Sequence, residues 1–421
     1  MFRFLHAADI HLDSPLVGLD RYESAPVDAA RGATRHAFEN LVRLAIDEEV
    51  AFVVLAGDLY DGDWKDYRTG LFFVDQMARL REAKIPVFVV AGNHDAASQL
   101  TKNLRPPDNV HFFSTKKPET RLVEAFDVAI HGQGFASRAI TEDLAAGYPV
   151  ADPSLFHIGL LHTSLEGREG HVTYAPTSAK VLTQKGYQYW ALGHVHKREV
   201  VSKDPWIVFP GNLQGRHARE VGTKGCTLVT VENGAVVGVE ERSVDVLRWA
   251  VCRVDVDGVA TTSDMLERIS RALMVEADHA DGRAVATRVE LTGSTACHEE
   301  ISANPDHWVQ EIRALAAGVS SADVWIEKVR FAMDRPIDLA VAAARDDALG
   351  SFLRDLAAVA DSPDEIAALR EALADVRAAL PSELLSGEDA VDPHAPELLT
   401  RFVAEARDLL LARIAREGAA Q

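Results

Sequence analysis

Cysteine is nearly absent. The 421 residues hold three, Cys226, Cys252 and Cys297, and an odd, widely spaced set builds neither a disulfide framework nor a thiolate zinc cluster. A reducing, cytoplasmic setting is expected. Long apolar runs are also missing: stretches such as Ala51 to Ala56 are strand-sized, far below the roughly 20 residues of a membrane-spanning helix. The first ten residues reach Asp9 before the apolar stretch of a secretory signal could develop, so neither membrane nor export is expected. Positive charge is scarce, with 44 Lys and Arg against 64 Asp and Glu and a net charge of −20. That balance argues against nucleic acid held on a broadly basic surface, but not against contact in a cleft where bound cations invert the field. What is present, 47% hydrophobic and 26% charged residues, is ordinary globular composition at a length for two or three domains.

The first half repeats one pattern. A short run of β-branched and aromatic residues is followed at once by Asp, Asn, Gly or His. Five runs stand out: Phe2 to Ala8, Phe52 to Ala56, Val87 to Ala91, His157 to Leu161 and Gln188 to Leu192. Each is near-continuously apolar, as central strands covered on both faces are. Arg31 to Glu49 and Leu71 to Arg81 read as amphipathic helices between them. This alternation predicts a layered α/β domain whose chemistry collects at the carboxyl ends of its strands.

The hairpin signal of Cys226 to Val231, Asn233-Gly234 and Ala235 to Arg242 closes that domain near residue 245. A smaller βαβαβ pattern follows, with strands from Trp249 to Val256, Ala284 to Thr292 and Val324 to Ala332, and helices from Ser263 to Ala277 and Pro305 to Ala317. The expected domains are therefore 1–245, a capping α/β domain at 246–335, and a helical region at 336–421. The last contains 17 acidic residues against 8 arginines and no lysine. Ser362-Pro363-Asp364-Glu365 marks a helix start, and Leu398, Leu399, Phe402, Val403, Leu409, Leu410 and Ile414 form an apolar stripe suited to a partner surface.

Every one of the five strands ends in metal-ligand chemistry: Asp9 and His11, Asp58, Asn93, His162, then His194 and His196. A lone Asp-x-His is common by chance; ligands at five strand ends are not. Residues i and i+2 leaving a strand can both turn toward one site, so Asp9 with His11, and His194 with His196, can chelate. Gly57 and Gly92 leave room for a sharp strand-to-loop turn before Asp58 and Asn93. One ion would take Asp9, His11, Asp58 and His196. A second would take Asp58, Asn93, His162 and His194, with Asp58 shared.

A thiolate-free mix of imidazole, carboxylate and carboxamide suits two divalent ions, with manganese expected and iron, zinc or magnesium as alternatives. Such a pair activates water and clamps the attacking and leaving oxygens of an in-line displacement. The expected reaction is metal-assisted phosphoester hydrolysis. His94, next to the ligand Asn93, is the candidate proton donor to the leaving oxygen, with Asp95 to orient its ring.

The motifs Asp9-Ile10-His11, Gly57-Asp58-Leu59-Tyr60-Asp61, Gly92-Asn93-His94-Asp95, Leu161-His162-Thr163-Ser164 and Gly193-His194-Val195-His196 resemble those of the calcineurin-like metallophosphoesterases. With Phe2 to His11 and Pro210-Gly211-Asn212-Leu213-Gln214-Gly215-Arg216-His217, the chain is similar to the DNA repair exonucleases of the SbcD and YhaO type. The resemblance implies a manganese-dependent nuclease that degrades DNA from 3′ ends and also cuts single strands internally. It further implies a homodimer and a coiled-coil ATPase partner of the SbcC or YhaN type, bound through the helical carboxyl-terminal region. Where some relatives carry a second histidine that orients the phosphate, this chain has Asp61, which leaves His94 as the single histidine acid.

Plainer roles suit other residues. His6, His111, His131 and His157 lie in or beside strands and read as structural, and His171 as a solvated loop residue. Lys197 and Arg198 follow the last ligands, and Lys102 and Arg105 follow the Asn93 loop, where they could steer phosphate. Arg216 and His217 are further phosphate candidates. Tyr60 and Trp64 read as packing under their loop rather than as a base-stacking platform. The alternative to a nuclease is a stand-alone phosphatase or phosphodiesterase acting on a nucleotide or other small ester with the same metals.

Overall fold

Strand β1 (Phe2–Ala7) is buried on both faces because its two side-chain sets meet different partners. Leu5 and Ala7 pack toward helices, while Phe4 faces a second sheet. β1 pairs in parallel with β2 (Phe52–Ala56), which pairs with β3 (Val87–Val90), which pairs with β4 (Val110–Phe112). On its other edge β1 pairs antiparallel with β11 (Gly225–Glu232), itself joined to β12 (Ala235–Ser243). Asn233 and Gly234 both have positive φ, 50° and 75°, the turn geometry that an Asn-Gly pair supplies.

The second sheet runs in the order β5 (Glu119–Val123), β6 (Val128–Gly132), β7 (Phe156–His162), β8 (Tyr189–Gly193), β10 (Trp206–Phe209), β9 (Glu199–Lys203). Between the sheets lie Phe4, Phe52, Val54, Phe88 and Val90 from the first and Ile130, Ile158, Leu160, Tyr189 and Ala191 from the second. Helices α1 (Val27–Asp47) and α2 (Tyr67–Glu82) cover the outer face of the first sheet through Ala37, Phe38, Leu41, Phe73, Met77 and Leu80. Tyr148 and Leu182, the latter on α4 (Ala179–Gln184), cover Trp190 and Leu192 on the outer face of the second. The expected layered α/β domain is thus built on two facing sheets. The short α3 (Asn93–Ala97) follows β3 at the same end as the ligand loops.

A three-stranded sheet follows, β13 (Leu247–Asp255), β14 (Ala284–Ser294) and β15 (Val324–Asp334) in that order. Helix α5 (Thr262–Asp278) joins the first pair. Helices α6 (His298–Ala303) and α7 (Pro305–Ala316) join the second, where the sequence predicted one helix. Helices α8 (Pro363–Ala372) and α9 (Ala374–Ala379) lie in the carboxyl-terminal region. Two compact units emerge, one of residues 1–252, 272–289 and 313–328, the other of 253–271, 290–312 and 329–421.

The computed structural model describes residues 1–16, 27–61, 67–97, 105–165, 174–319, 322–336, 350–355 and 362–380, with 341, 344–346, 395, 399 and 402. Trp64, Lys102, His171 and most of the terminal stripe, including Leu398, Val403, Leu409, Leu410 and Ile414, lie outside the described residues. No helix among the described residues is long and apolar enough to cross a membrane.

Candidate metal centre

Parallel pairing continues past the strand ends and fixes the ligand loops. The amides of Asp9, His11 and Leu12 donate to the carbonyls of Gly57, Asp58 and Leu59 at 3.0, 3.0 and 2.9 Å. Asp9, His11, Asp58 and His194 all have positive φ, at 50°, 47°, 53° and 104°. Side chains are costly in that region, and the conformation persists only where surrounding bonds over-determine it. The glycines before the ligands are required by what stands against them. A Cβ on Gly57 would lie 2.5 Å from His162 Nδ1, one on Gly92 would fall on the Asp58 carboxylate, and one on Gly193 on the Ala56 carbonyl.

The side chains that converge bring potential ligand atoms face to face. His162 Nδ1 lies 2.9 Å from the Ala56 carbonyl, which can only accept, so Nδ1 carries the proton and Nε2 a lone pair. That lone pair stands 3.0 Å from Asn93 Oδ1 and 3.5 Å from Asp58 Oδ2. His11 Nε2 and His196 Nε2 face each other at 3.3 Å, with Asp9 Oδ1 3.9 Å from His196 Nε2 and Asp58 Oδ2 4.0 Å from His11 Nε2. Asp9, His11 and His196 form one group of mutually close ligand atoms, and Asp9, Asp58 and His162 another. The His194 amide donates to both Asp9 oxygens at 3.1 and 2.9 Å, and its ring stands edge-on 5.2 Å from that of His162.

Electrostatics agree with this donor set. Burial holds His11 well below the usual histidine range, lowers His162 to about 3 and depresses His196, so the imidazoles are neutral and able to ligate. Burial, and then the nearby Asp58, push the Asp9 carboxyl well above its normal range. Burial raises Asp58 to about 6 against the pull of His94. Two buried carboxylates and opposed lone pairs are unfavourable alone, and a divalent cation among them would relieve both. The residues therefore fit the metals that the motifs imply.

The comparisons with known proteins come from both halves of the chain. Residues 2–198 match the calcineurin-like phosphoesterase family, and residues 249–334 match the middle domain of the metallophosphoesterase YhaO. The Bacillus subtilis metallophosphoesterase YhaO, described as uncharacterized, is 40% identical over 257 residues, which are 60% of this chain and 63% of that one. Residues 2–198 are a calcineurin-like metallophosphoesterase domain. The DNA double-strand break repair protein Mre11 of Sulfurisphaera tokodaii is 27% identical over 61% of this chain and 66% of its own. That of Methanopyrus kandleri is 25% identical over 76% and 72%. The chain thus spans somewhat less than two thirds of the length of the first of these relatives.

On the outer side of this metallophosphoesterase centre stands a pair that adjacency in sequence did not suggest. His94 Nδ1 lies 3.1 Å from Asp61 Oδ1, and Asp61 Oδ2 accepts from Ser14 Oγ at 2.8 Å. The imidazoles of His11, 3.7 Å away, and of His94 hold Asp61 far below the usual carboxylate range, and Asp61 in turn raises His94. The expectation that Asp95 orients His94 is corrected. Asp95 is buried and accepts from the amides of Tyr60 and Gly92 at 3.0 Å each, tying the two ligand loops together. Burial, then the charge of Asp58, raise its carboxyl to about 7. The His94 amide donates to Asp58 Oδ1 at 2.9 Å, so the histidine that faces outward is fixed to the ligand between the two groups.

Arg216 reaches this wall, with Nη1 3.4 Å from Ser14 Oγ and 3.7 Å from Asp61 Oδ2, while its buried Nε has no hydrogen-bond partner among the described residues. His217 is partly exposed, 3.6 Å from Glu220. Lys197 is exposed just beyond His196. Arg198 is a correction: it is committed to Thr227 Oγ1 at 2.9 Å and Glu241 at 3.4 Å on β11 and β12, so it secures the hairpin instead of reaching toward phosphate. Tyr60 is buried beside Phe73. His6 joins the sheets through Tyr189 Oη at 3.0 Å and the Leu192 carbonyl at 3.1 Å, and His131 stacks on His157. The residue that sequence reading missed is Glu220, 2.6 Å from His196 Nδ1.

Proposed function

We propose that this metallophosphoesterase is a two-metal phosphodiesterase that hydrolyses DNA, as a 3′ to 5′ exonuclease and a single-strand endonuclease, in DNA repair. The observation that carries the reading is the convergence of Asp9, His11, Asp58, His162 and His196 into two groups of mutually close ligand atoms, with Asn93 Oδ1 3.0 Å from His162 Nε2, so that five strand ends contribute. One ion belongs to Asp9, His11, Asp58 and His196, the other to Asp58, Asn93, His162 and His194, and manganese is the ion we assign. When bound, such ions polarise the phosphate and lower the pKa of the attacking water. His94, held by Asp61, gives the proton to the leaving oxygen, and Arg216 with His217 and Lys197 meets the flanking phosphates. The DNA substrate is supported by the repair role in the names of the Mre11 relatives.

The proposal extends to a three-part chain divided near 245 and 335, a homodimer in the cytoplasm, and an SbcC- or YhaN-type coiled-coil ATPase bound by residues 336–421. The test is purified protein with manganese on end-labelled double- and single-stranded DNA, beside bis-p-nitrophenyl phosphate and p-nitrophenyl phosphate. Manganese-dependent shortening from 3′ ends and turnover of the diester are expected. Untouched DNA with rapid monoester turnover would replace this reading with that of a small-molecule phosphatase.

A further inference from the structure

Three N–H donors close on one carboxylate behind the metal centre. Glu220 is 7% exposed. Its Oε1 lies 2.6 Å from His196 Nδ1, and its Oε2 accepts from Asn212 Nδ2 at 2.9 Å and from the Arg216 amide at 2.7 Å. Asn212 is itself joined to the site, through the bridge of its backbone to Ala8 at the end of β1. Arg216 Nη2 also approaches His196 Nδ1, but at 3.4 Å. The shorter contact decides the proton: an unprotonated Nδ1 would set two acceptors 2.6 Å apart, so Nδ1–H donates to Glu220 and the lone pair is on Nε2.

We propose that Glu220 is the positioning residue of the Asp9–His11–His196 metal group, fixing the His196 tautomer while anchoring the loop that carries Arg216. Only a carboxylate fits, because both of its oxygens accept. A carboxamide would turn an N–H₂ either toward His196 Nδ1, favouring the opposite tautomer, or toward the Asn212 and Arg216 donors. Outer carboxylates of this kind orient a ligating imidazole and raise its basicity, and their loss typically weakens metal affinity by about 10- to 100-fold. Asp58 and His162 make no contact with Glu220 in the described hydrogen-bond network, so the second group is expected to keep its ion.

This inference rests on reading His196 as a ligand, and two readouts keep the two apart. Long-range proton–nitrogen NMR on the metal-free full chain reports the imidazole tautomer directly. Wild-type protein should show His196 protonated at Nδ1, and Glu220→Gln should move the resonances toward the other tautomer. Protonation at Nε2 in the wild type would overturn the proposal without any variant. Manganese calorimetry should show two binding steps in the wild type and, in Glu220→Gln, one step weakened about 10- to 100-fold with the other unchanged. Two unaltered steps with an unaltered tautomer overturn it. A wild type that binds no pair of ions refutes the metal reading instead, and the NMR result then decides the role of Glu220 alone.

Discussion

Replacing Asp61 by Asn isolates a charge without removing a shape. The carboxamide oxygen can still accept from His94 Nδ1, now 3.1 Å from Asp61 Oδ1, but the negative charge is gone. The two side chains are 26% and 28% exposed. A charge-assisted bond is worth about 1.5–3 kcal/mol in general, and partial solvent screening reduces that here to about 1–2 kcal/mol. If His94 donates its proton, that amount is lost from the stabilisation of its protonated form, so kcat falls by roughly 5- to 30-fold at pH values above the His94 pKa, with little change in KM. The sign of the pH effect follows from the same pair. Asp61 raises the His94 pKa, the acid is active when protonated, and activity falls as pH rises through that pKa. In Asp61→Asn the alkaline limb should therefore move to lower pH. Steady-state hydrolysis of bis-p-nitrophenyl phosphate at saturating manganese, from pH 6 to 10, measures both effects. Adding Asp61→Asn to His94→Gln should cost nothing further, since the two act as one unit. A full additional loss in the double variant, or an unmoved alkaline limb, would refute the dyad.

His94→Gln alone should bind both ions with wild-type affinity by calorimetry while losing about 10²- to 10⁴-fold in turnover; near-normal turnover rejects the acid role. Gly92→Ala drives a Cβ into the Asp58 carboxyl carbon at 2.9 Å and its amide nitrogen at 2.7 Å, so manganese binding should fail while circular dichroism shows the fold retained. Burial lowers His6 from 6.5 to about 3, so between those values the unfolded chain takes up a proton that the native state refuses. Stability should therefore fall as pH drops from 6.5 toward 3, by at most about 1.4 kcal/mol per pH unit from this residue. Urea titrations of His6→Gln should show a shallower acid loss, and identical slopes would count against it.

The five strands that end in candidate ligands were legible because burial on both faces demands continuous β-branched runs, and because the sharp turns at their ends demand glycine. The runs predicted at Phe52 to Ala56 and Val87 to Ala91 coincide with β2 and β3 to within a residue. The division into two sheets was not legible, since a buried strand carries the same apolar signature whichever sheet receives it. Nor were β5 and β9, whose sequences, Glu119–Val123 and Glu199–Lys203, are exposed or half-buried and lack an apolar face. In the site, spacing found what leaves a strand end and missed what approaches from elsewhere. Asp95 is adjacent to His94, yet the turn of α3 sends its carboxylate back to two amides, and the charge beside His94 comes from the loop after β2. Glu220 had no spacing to betray it; a lone glutamate among charged loop residues is indistinguishable from a solvated one until Asn212, Arg216 and His196 are seen to point at it. Ligands that bind a metal are constrained by the strand they leave and so repeat in sequence, whereas the groups that aim those ligands are constrained only by where the loops meet. Substitutions at Asp61 and Glu220 therefore test how the histidines are held, because each removes a carboxylate beside a histidine while leaving every motif histidine and every candidate ligand in place.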